Sequence, residues 1–496
     1  MSEIGPHATD WTASPLNWSQ TVLSRHVRLP SHLPRLFRSG LDVVITLYVV
    51  GLCLIGLTGG VDLGVVRMHE AAKPLLVLFL IVPLRIALGG SSLLADVTHI
   101  TVLQVTGWWE LACARVPAAV ADTLFAFVVV RVASLPAAFV ANLAFEPDRE
   151  RGFSLPFRYE KFAEIFAAWD SGWYWDIARR GYFFSPDAQS SIAFFPLYPV
   201  LMRAVAAPFG GGDRATWIAG IVISLSAFAL GLIALHRFTE RIFGSREVAR
   251  STVLLIAVFP WSLFFTRVYA ESLFLLMSVL AVSRAHDRQW WRAGLWGALA
   301  TLARPNGILI GLPLILLALR DRPGLREIAS RWIQLTPVPA ALVAYCAYAY
   351  MLTGDPLGWM SAQAHWGYSL GHPPWQQLLR MVGELLEYGP YDYFFISNIA
   401  PFELLHGIPA LIFLALTPAV FKRLGVAMGS YVLVSLLVPL SSNTLEGLGR
   451  YASVLFPAFM LVGSMASHRV FEAIVIVSVI FRTLIVCLFV TWHPIY

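Results

Sequence analysis

Five ionisable side chains stand in or beside apolar or aromatic stretches, where a charge is expensive to keep. Asp170 and Asp176 lie among tryptophans and tyrosine in the run 168–182, and Glu271 opens an apolar run. An aspartate at a membrane surface, beside rings that can stack on a sugar, could act as a general base. Arg304 and Arg450 each adjoin an apolar run and could bind a phosphate through forked contacts.

Each of these residues also has a purely structural interpretation. Three tryptophans within residues 169–175 suit a helix that lies in the lipid head-group layer. Glu271 could complement the dipole of the helix that it opens, and each arginine could simply extend its charge toward water. Two arginines on one expected face, above an aromatic cap, favour an anionic ligand over these interpretations.

Two further segments contain polar or aromatic residues without a recognisable catalytic pattern. His365 and Trp366 lie in the loop 353–367, and a lone histidine is more often structural than catalytic. No His-x-x-x-His pair, carboxylate cluster, Walker A motif or Rossmann glycine fingerprint occurs. The sequence therefore predicts no metal site and no nucleotide as the direct donor. In the run 191–199, two prolines three residues apart predict an interruption of regular helix.

The composition indicates the environment in which such a site would work. Of 496 residues 57% are hydrophobic and only 13% are charged, whereas soluble domains have about 25% charged residues. The net charge of +6 comes mainly from arginines in short loops between apolar spans. This distribution indicates membrane topology and lipid contact and argues against nucleic acid as a partner. The four cysteines are far apart and predict neither a disulfide framework nor a metal motif.

The expected architecture is an all-α polytopic membrane protein of about 11–13 spans with interfacial helices in two large outer loops. The outer loops are 146–213 and 354–404, both rich in aromatic residues. Arginines between the apolar runs place the N-terminus inside and these two loops outside. The apolar runs are at about 41–59, 73–90, 117–145, 214–236, 250–266, 269–285, 291–303, 306–319, 334–353, 405–421, 424–440, 451–466 and 470–491.

Six short segments, in this order, resemble the phosphatidylinositol glycan class V family of mannosyltransferases and its bacterial relatives. Each segment is weak alone, but the ordered set, which spans about residues 160–460, is fairly specific. The segments are Trp169-Asp170-Ser-Gly-Trp-Tyr174 with Ile177-Ala178 and Gly181-Tyr182; Ala193-Phe-Phe-Pro-Leu-Tyr-Pro199; Tyr269-Ala-Glu-Ser-Leu-Phe274; Ala303-Arg-Pro-Asn-Gly307; Thr353-Gly-Asp-Pro-Leu357; and Arg450-Tyr451 with Phe456-Pro457.

The resemblance implies a C-type membrane glycosyltransferase bundle and assigns roles to particular residues. Asp170 matches the position of the catalytic aspartate in the first large outer loop of the family core. The donor would be a polyprenyl-phosphate sugar, with mannose expected, and inversion would give an α-linkage. Inversion by single displacement needs one carboxylate rather than the nucleophile and acid of a retaining hydrolase. The residues expected to bind substrate or support it are Trp169, Trp173, Tyr174, Asp176, Tyr269, Glu271, Arg304, Asn306, His365, Trp366, Arg450 and Tyr451.

The resemblance also predicts an organisation of the chain and its surroundings. Residues 1–40 would be a cytoplasmic tail, 41–115 additional N-terminal spans, and 116–496 the glycosyltransferase membrane domain. Short loops and abundant arginine are typical of a bacterial protein, with the site on the extracytoplasmic face of the plasma membrane. The partners would be membrane lipid, the lipid-linked donor as co-substrate and a glycolipid or lipoglycan acceptor, without a further cofactor.

Three other functions remain open on the sequence. A transferase of the same fold could use another lipid donor, such as polyprenyl-phosphate arabinose, since donor choice depends on pocket shape. A lipid or solute transporter would be expected to show an inverted repeat, and none is visible between the two halves. A non-catalytic envelope-assembly subunit would not need the Trp169-Asp170 and Arg450-Tyr451 pairs.

Overall fold

The computed structural model describes residues 115–145, 164–369, 371–393, 401–442 and 444–493, together with a few positions between 41 and 81. Helices dominate these residues, which confirms the predicted all-α membrane class. In the N-terminal part, strand β1 (Val61–Asp62) pairs antiparallel with strand β2 (Arg67–Met68). The predicted tail 1–40 and most of the first two predicted spans lie outside the described residues.

The α-helices of the described residues differ widely in length. In chain order they are α1 (Ala118–Ala144), α2 (Ser171–Arg180), α3 (Leu197–Ala206), α4 (Asp213–Phe243), α5 (Arg246–Val258), α6 (Glu271–His286), α7 (Trp290–Ala303), α8 (Gly311–Ala318), α9 (Leu325–Leu335), α10 (Pro337–Thr353), α11 (Gly358–Ala362), α12 (Gln376–Tyr391), α13 (Pro401–Leu424), α14 (Val426–Leu440), α15 (Leu448–Ser453), α16 (Phe456–Met465) and α17 (His468–Val490). Short 3-10 helices lie at Ser191–Ala193, Ala207–Phe209, Pro260–Thr266, Pro305–Ile310 and Gln363–Trp366.

Five stretches of the described residues are long and apolar enough to cross a membrane. They are α1, α4, α9 with α10, the part of α13 from Leu405, and α17, and they coincide with predicted runs. A sixth crossing is possible if α5 and the 3-10 helix Pro260–Thr266 form one span, although the two are bent by 84°. Length and composition alone therefore support a multi-pass membrane protein.

Within the described residues, the other predicted runs form helices that are shorter than a full crossing needs. The runs at 306–319, 424–440 and 451–466 correspond to apolar helical stretches of 10–17 residues. Prolines and glycines divide the apolar sequence there, so that helices end inside the protein rather than at its edge. Broken helices of this kind are tolerated where they line a cavity.

Helix α6 is the centre of the fold. It packs between α4 and α7, and every residue from Glu271 to Val279 is buried. A helix that is surrounded on all sides is expected to carry no charge there, and from Ser272 to Ser283 α6 contains only apolar residues and serines. The exception is the carboxylate of Glu271 at its first position, which is 0% exposed. The fold therefore places one acid at the top of its most enclosed helix.

The two predicted outer loops contain the expected short helices, though not all in the expected places. The first loop contains α2 and α3, and the second contains α11 and α12. The prediction that two prolines would prevent a regular helix near residue 199 is wrong, because α3 begins at Leu197. Pro196 occupies the N-cap and Pro199 lies in the first turn, where a missing N–H breaks no helical hydrogen bond.

Gly307 allows the close backbone contact that positions Arg304. The 3-10 helix Pro305–Ile310 folds back against α7, and a Cβ at Gly307 would be forced against the backbone carbonyl of Ala300. Gly311, four residues later, differs: a Cβ there would meet a Val338 methyl at an ordinary 3.6 Å. Only the first of these glycines is required by packing.

We therefore expect Gly307→Ala to destabilise the folded protein and Gly311→Ala to change it little. Overpacking against an immovable backbone typically costs about 1–3 kcal/mol. Thermal unfolding of both variants in one detergent measures the difference. A Gly307→Ala protein that unfolds at the wild-type temperature would contradict this account of the turn.

Candidate active site

Two acids and two arginines from distant parts of the chain meet in one ion-pair network. The guanidinium of Arg450, in α15, donates through Nη1 to Oδ2 of Asp170 at 2.7 Å. Its Nε atom donates to Oε1 of Glu271 at 2.8 Å, and its Nη2 lies 2.7 Å from the same oxygen. Arg450 thus joins the two carboxylates that the sequence predicted to be functional.

Arg304 completes the network from the opposite side. Its Nη1 lies 2.6 Å from Oε1 of Glu271, and the two side chains are 9% and 0% exposed. Three cationic nitrogens therefore converge on one oxygen of Glu271. Its other oxygen, Oε2, is buried and has no hydrogen-bond partner among the residues that the structure describes. Two positive and two negative charges make the network neutral.

The backbone turn at Asp170 is fixed by hydrogen bonds that do not use its carboxylate. It is the N-cap residue of α2, but its carboxylate does not cap the helix. The preceding residue, Trp169, has a positive φ of 56°, which is uncommon for a residue with a side chain. The hydroxyl of Tyr269 accepts from the Asp170 N–H at 3.1 Å and donates to the Ala168 carbonyl at 3.0 Å. These bonds fix the turn, so the carboxylate is left for Arg450.

The network forms part of the lining of a pocket of about 710 Å³, its open mouth included. Six of the predicted residues line it: Asp170, Tyr174, Arg304, Trp366, Arg450 and Tyr451. Arg450 binds Oδ2 of Asp170, and no hydrogen bond of the described residues uses Oδ1. The carboxylate therefore combines a fixed cationic neighbour with a free oxygen at the pocket.

Aromatic side chains form another part of the pocket wall. Trp173 stacks on Phe194 with ring centroids 5.8 Å apart, and Trp366 meets both rings edge-on at 5.4 and 5.7 Å. The hydroxyl of Tyr345 donates to the Phe194 carbonyl at 2.9 Å and so fixes this part of the wall. Such a wall suits the apolar face of a sugar ring.

Two tyrosines of the lining remain neutral proton donors over the physiological range. Burial, together with the nearby charge of Glu271, raises the pKa of the Tyr174 phenol above its ordinary value. Burial also raises the pKa of the Tyr368 phenol, which lies beside Tyr451. Both hydroxyls can therefore donate hydrogen bonds to a polar ligand but cannot act as bases there.

Several predicted residues lie beside the pocket rather than in its lining. Tyr269, Glu271 and Trp173 support lining residues through the contacts already described. Trp169 instead packs on Trp492, with ring centroids 5.1 Å apart. Asp176 points away from the network and pairs with Arg180 at 3.2 Å. Asn306 and His365 also lie outside the lining, and His365 is exposed.

Sequence reasoning missed some residues that the structure brings to the pocket. Gln363, Tyr368 and Gly447 line it, although none stands in a predicted site. Gln363 and Tyr368 flank the predicted pair His365-Trp366, and Gly447 lies three residues before Arg450. Their proximity to these motifs was the available signal. Phe194 and Phe195 also line the pocket, and this could have been predicted, because both belong to the matched segment 193–199.

Among the described residues there is no group of three or more His, Cys, Asp or Glu side chains that could hold a metal ion. What the pocket offers instead is charge and hydrogen-bond donors. Arg304 and Arg450 present cationic nitrogens at one side, and an anion entering there could compete with the carboxylates for them. The arrangement suits a reaction with an anionic leaving group and one carboxylate base.

Comparisons with known proteins agree with the resemblance found in the motifs. Residues 123–319 match the model of the mannosyltransferase (PIG-V) family, so the resemblance is confirmed over this part of the chain. The GPI mannosyltransferase 2 of Drosophila pseudoobscura pseudoobscura is 27% identical over 161 residues, which are 30% of this chain and 35% of the relative. The GPI mannosyltransferase 2 of Yarrowia lipolytica is 26% identical over 180 residues, 36% of this chain and 48% of the relative.

These alignments span about a third to a half of the relatives' length. Among solved structures, the chain is similar to the oligosaccharyltransferase of Archaeoglobus fulgidus in the apo form. That similarity has a TM-score of 0.42 and 13% identity and covers 74% of this chain and 56% of the other. Five of the network and wall residues lie within the range matched by the family model: Asp170, Trp173, Phe194, Glu271 and Arg304.

We expect Glu271→Ala to destabilise the protein strongly, because it leaves Arg304 and Arg450 buried without their shared partner. Removing one member of a buried ion pair costs about 3–5 kcal/mol. Glu247→Ala is the matched control, since Glu247 is an exposed acid in the first turn of α5. Thermal unfolding of both variants tests this, and equal unfolding temperatures would contradict a structural role for the network.

Proposed function

We propose that the protein is an inverting glycosyltransferase that moves a sugar from a polyprenyl-phosphate donor to a glycolipid or lipoglycan. The expected sugar is mannose, the product is α-linked, and the reaction takes place at the outer face of a bacterial plasma membrane. The observation that carries the proposal is Asp170, a carboxylate with one oxygen on Arg450 and the other free at the pocket. The match to the mannosyltransferase (PIG-V) model supports the choice of sugar.

In the proposed reaction one bond forms and one breaks at the anomeric carbon. The acceptor hydroxyl attacks this carbon from the face opposite the phosphate and gives its proton to Oδ1 of Asp170. The bond from the anomeric carbon to the phosphate oxygen breaks, and its electron pair leaves with the polyprenyl phosphate. Because that leaving group carries its own charge, it needs cations rather than a general acid.

Arg304 and Arg450 are the proposed partners of the departing phosphate. Both line the pocket, and both are held by Glu271 at 2.6–2.8 Å. Guanidinium groups suit phosphate oxygens because their N–H donors form a planar fork. Glu271 would then be a positioning residue, which keeps two like charges close together without touching the substrate.

The aromatic wall is the proposed platform for the sugar. Trp366 and Phe194 line the pocket, and Trp173 packs against both rings. Neutral Tyr174 and Tyr368 could donate hydrogen bonds to sugar hydroxyls. This arrangement would hold the sugar ring against the wall while the acceptor hydroxyl reaches Oδ1 of Asp170. The shape of the wall would then determine which donor sugar fits.

The first test is the variant Asp170→Asn, which keeps the shape of the side chain but removes its basicity. We expect the rate of sugar transfer to fall by about 10²–10⁴-fold, the usual contribution of a general base. The measurement is incorporation of label from polyprenyl-phosphate mannose into the glycolipid fraction of membranes that contain the protein.

The matched control is Asp187→Asn, because Asp187 is an exposed acid in the same outer loop. It should transfer at the wild-type rate. Thermal unfolding of Asp170→Asn shows whether the variant is folded. A folded Asp170→Asn protein with wild-type transfer would sink the assignment of the base.

The second test concerns the donor. We expect label to be transferred from polyprenyl-phosphate mannose and not from polyprenyl-phosphate arabinose when each is supplied to the same membranes. Transfer from arabinose alone would replace mannose but keep the mechanism, because the phosphate and the base are the same in both reactions.

A transporter is the candidate from another class. A pocket lined by paired charges is also a feature of a solute-binding site. Proteoliposomes that take up or flip a labelled lipid, without sugar transfer to any acceptor, would favour this function over the transferase. The family match over residues 123–319 favours the transferase.

A further inference from the structure

Three arginines lie together in the interior of the protein. We call Arg131, Arg267 and Arg482 the arginine cluster. Arg131 lies in α1, Arg267 follows the 3-10 helix Pro260–Thr266, and Arg482 lies in α17. Helix α17 packs against both α1 and this 3-10 helix, which brings the three positive charges into one region of the interior. None of the three lines the pocket that contains Asp170.

The two most enclosed members of the cluster have only neutral partners. Arg267 is 1% exposed, and its Nη1 donates to the hydroxyl of Thr266 at 3.1 Å. Arg482 is 2% exposed, and its Nη1 donates to the hydroxyl of Ser262 at 2.7 Å. A hydroxyl satisfies one donor of a guanidinium but neutralises none of its charge.

Several of the remaining nitrogens have no partner at all. Within the described residues, Nε and Nη2 of Arg267, Nε of Arg482 and Nη2 of Arg131 are buried without a hydrogen bond. No ion pair joins any of the three to a carboxylate of the described residues. Buried charges are normally paired, because an unpaired one forfeits its hydration.

The network at Asp170 makes the contrast clear. There, two buried arginines share two carboxylates, and the charges cancel. In the arginine cluster three positive charges repel one another and meet no acid of the described residues. Aromatic rings relieve part of the cost, since Arg267 lies 5.5 Å from the Phe166 ring and 5.7 Å from the Phe489 ring. Rings do not supply the missing negative charge.

We propose that the arginine cluster is a second anion site, which binds the phosphate group of a membrane lipid. A phosphate offers several oxygens around one centre, which suits donors that converge from three directions. Its negative charge would offset the repulsion that the three arginines otherwise feel. The site is separate from the proposed transfer chemistry, and no sugar is required to occupy it.

The surroundings of Arg131 favour a lipid over a soluble anion. Arg131 is only half-buried, and its Nη1 donates to the Phe127 carbonyl at 3.3 Å on the same helix. Its neighbours on α1 face outward, with Val132 69% exposed and Val128 43% exposed. The cluster therefore opens sideways, toward the apolar surface of a span, where a lipid rather than water supplies the phosphate.

An occupied cluster would also contact the framework of the candidate active site. The ring of Phe489, in α17, lies 5.7 Å from the Arg267 guanidinium and 6.2 Å from the Tyr269 ring. Tyr269 in turn fixes the turn that contains Asp170. Neutralising the cluster would thus stabilise the support of the pocket without adding a group to it.

The test compares the full-length protein in nanodiscs of phosphatidylcholine alone with nanodiscs that contain an equal amount of phosphatidylglycerol. We expect phosphatidylglycerol to raise the unfolding temperature of the wild type by several degrees, because a ligand of the native state stabilises it. Arg482→Met should lose most of this gain. In phosphatidylcholine alone it should be at least as stable as the wild type, because it removes an unpaired buried charge.

Arg469→Met is the matched control, since Arg469 is exposed near the start of the same helix. It should keep the full gain from phosphatidylglycerol. A third arm adds inorganic phosphate to the phosphatidylcholine nanodiscs, and we expect no shift there. Native mass spectrometry should show a phospholipid retained by the wild type and by Arg469→Met but not by Arg482→Met.

Three outcomes would overturn the proposal. One is a wild type whose unfolding temperature is the same in both lipid mixtures. Another is an equal gain in Arg482→Met, which would place the effect at the protein surface. A gain with inorganic phosphate as large as that with phosphatidylglycerol would keep the anion site but replace the lipid as its source. None of these readouts depends on sugar transfer, so the proposed function is tested separately.

Discussion

The bridge that Arg450 makes between Asp170 and Glu271 is the constraint on which the candidate site depends. Glu271 is buried at the start of the most enclosed helix, where an unpaired carboxylate would be very costly. Arg450 and Arg304 neutralise it, and Arg450 then also contacts Asp170. One guanidinium, carried by α15, therefore joins the turn before α2 to the start of α6.

The membrane class and the main charged residues were predictable because both follow from strong local signals. Long apolar runs identify spans, and an ionisable residue beside such a run is rare enough to stand out. The sequence could not show that Arg450 joins Asp170 and Glu271, because these residues are 280 and 179 positions away from it. Pairing over such distances depends on how helices pack, which local composition does not specify.

Other features lay beyond local patterns for physical reasons. The sequence could not fix the number of spans, because an apolar run shows that a segment avoids water, not whether it crosses the bilayer or stops within the protein. The three tryptophans within residues 169–175 suggested one helix over all of them, whereas α2 begins only at Ser171 and Trp169 adopts a positive φ. The hydroxyl of Tyr269, 99 positions from Asp170, fixes that turn, and no residue near the turn in the sequence indicates this contact.

The contacts of Arg450 have a consequence for how the site could respond to new charge. Its N–H groups bind two carboxylates. Its central carbon, Cζ, lies 4.7 Å from the centroid of the Phe264 ring and 4.9 Å from that of the Tyr269 ring. A guanidinium enclosed on edges and face has little freedom to rotate. Its positive charge is thus oriented before any substrate arrives, and negative charge that develops beside it would be stabilised without the reorganisation that water requires.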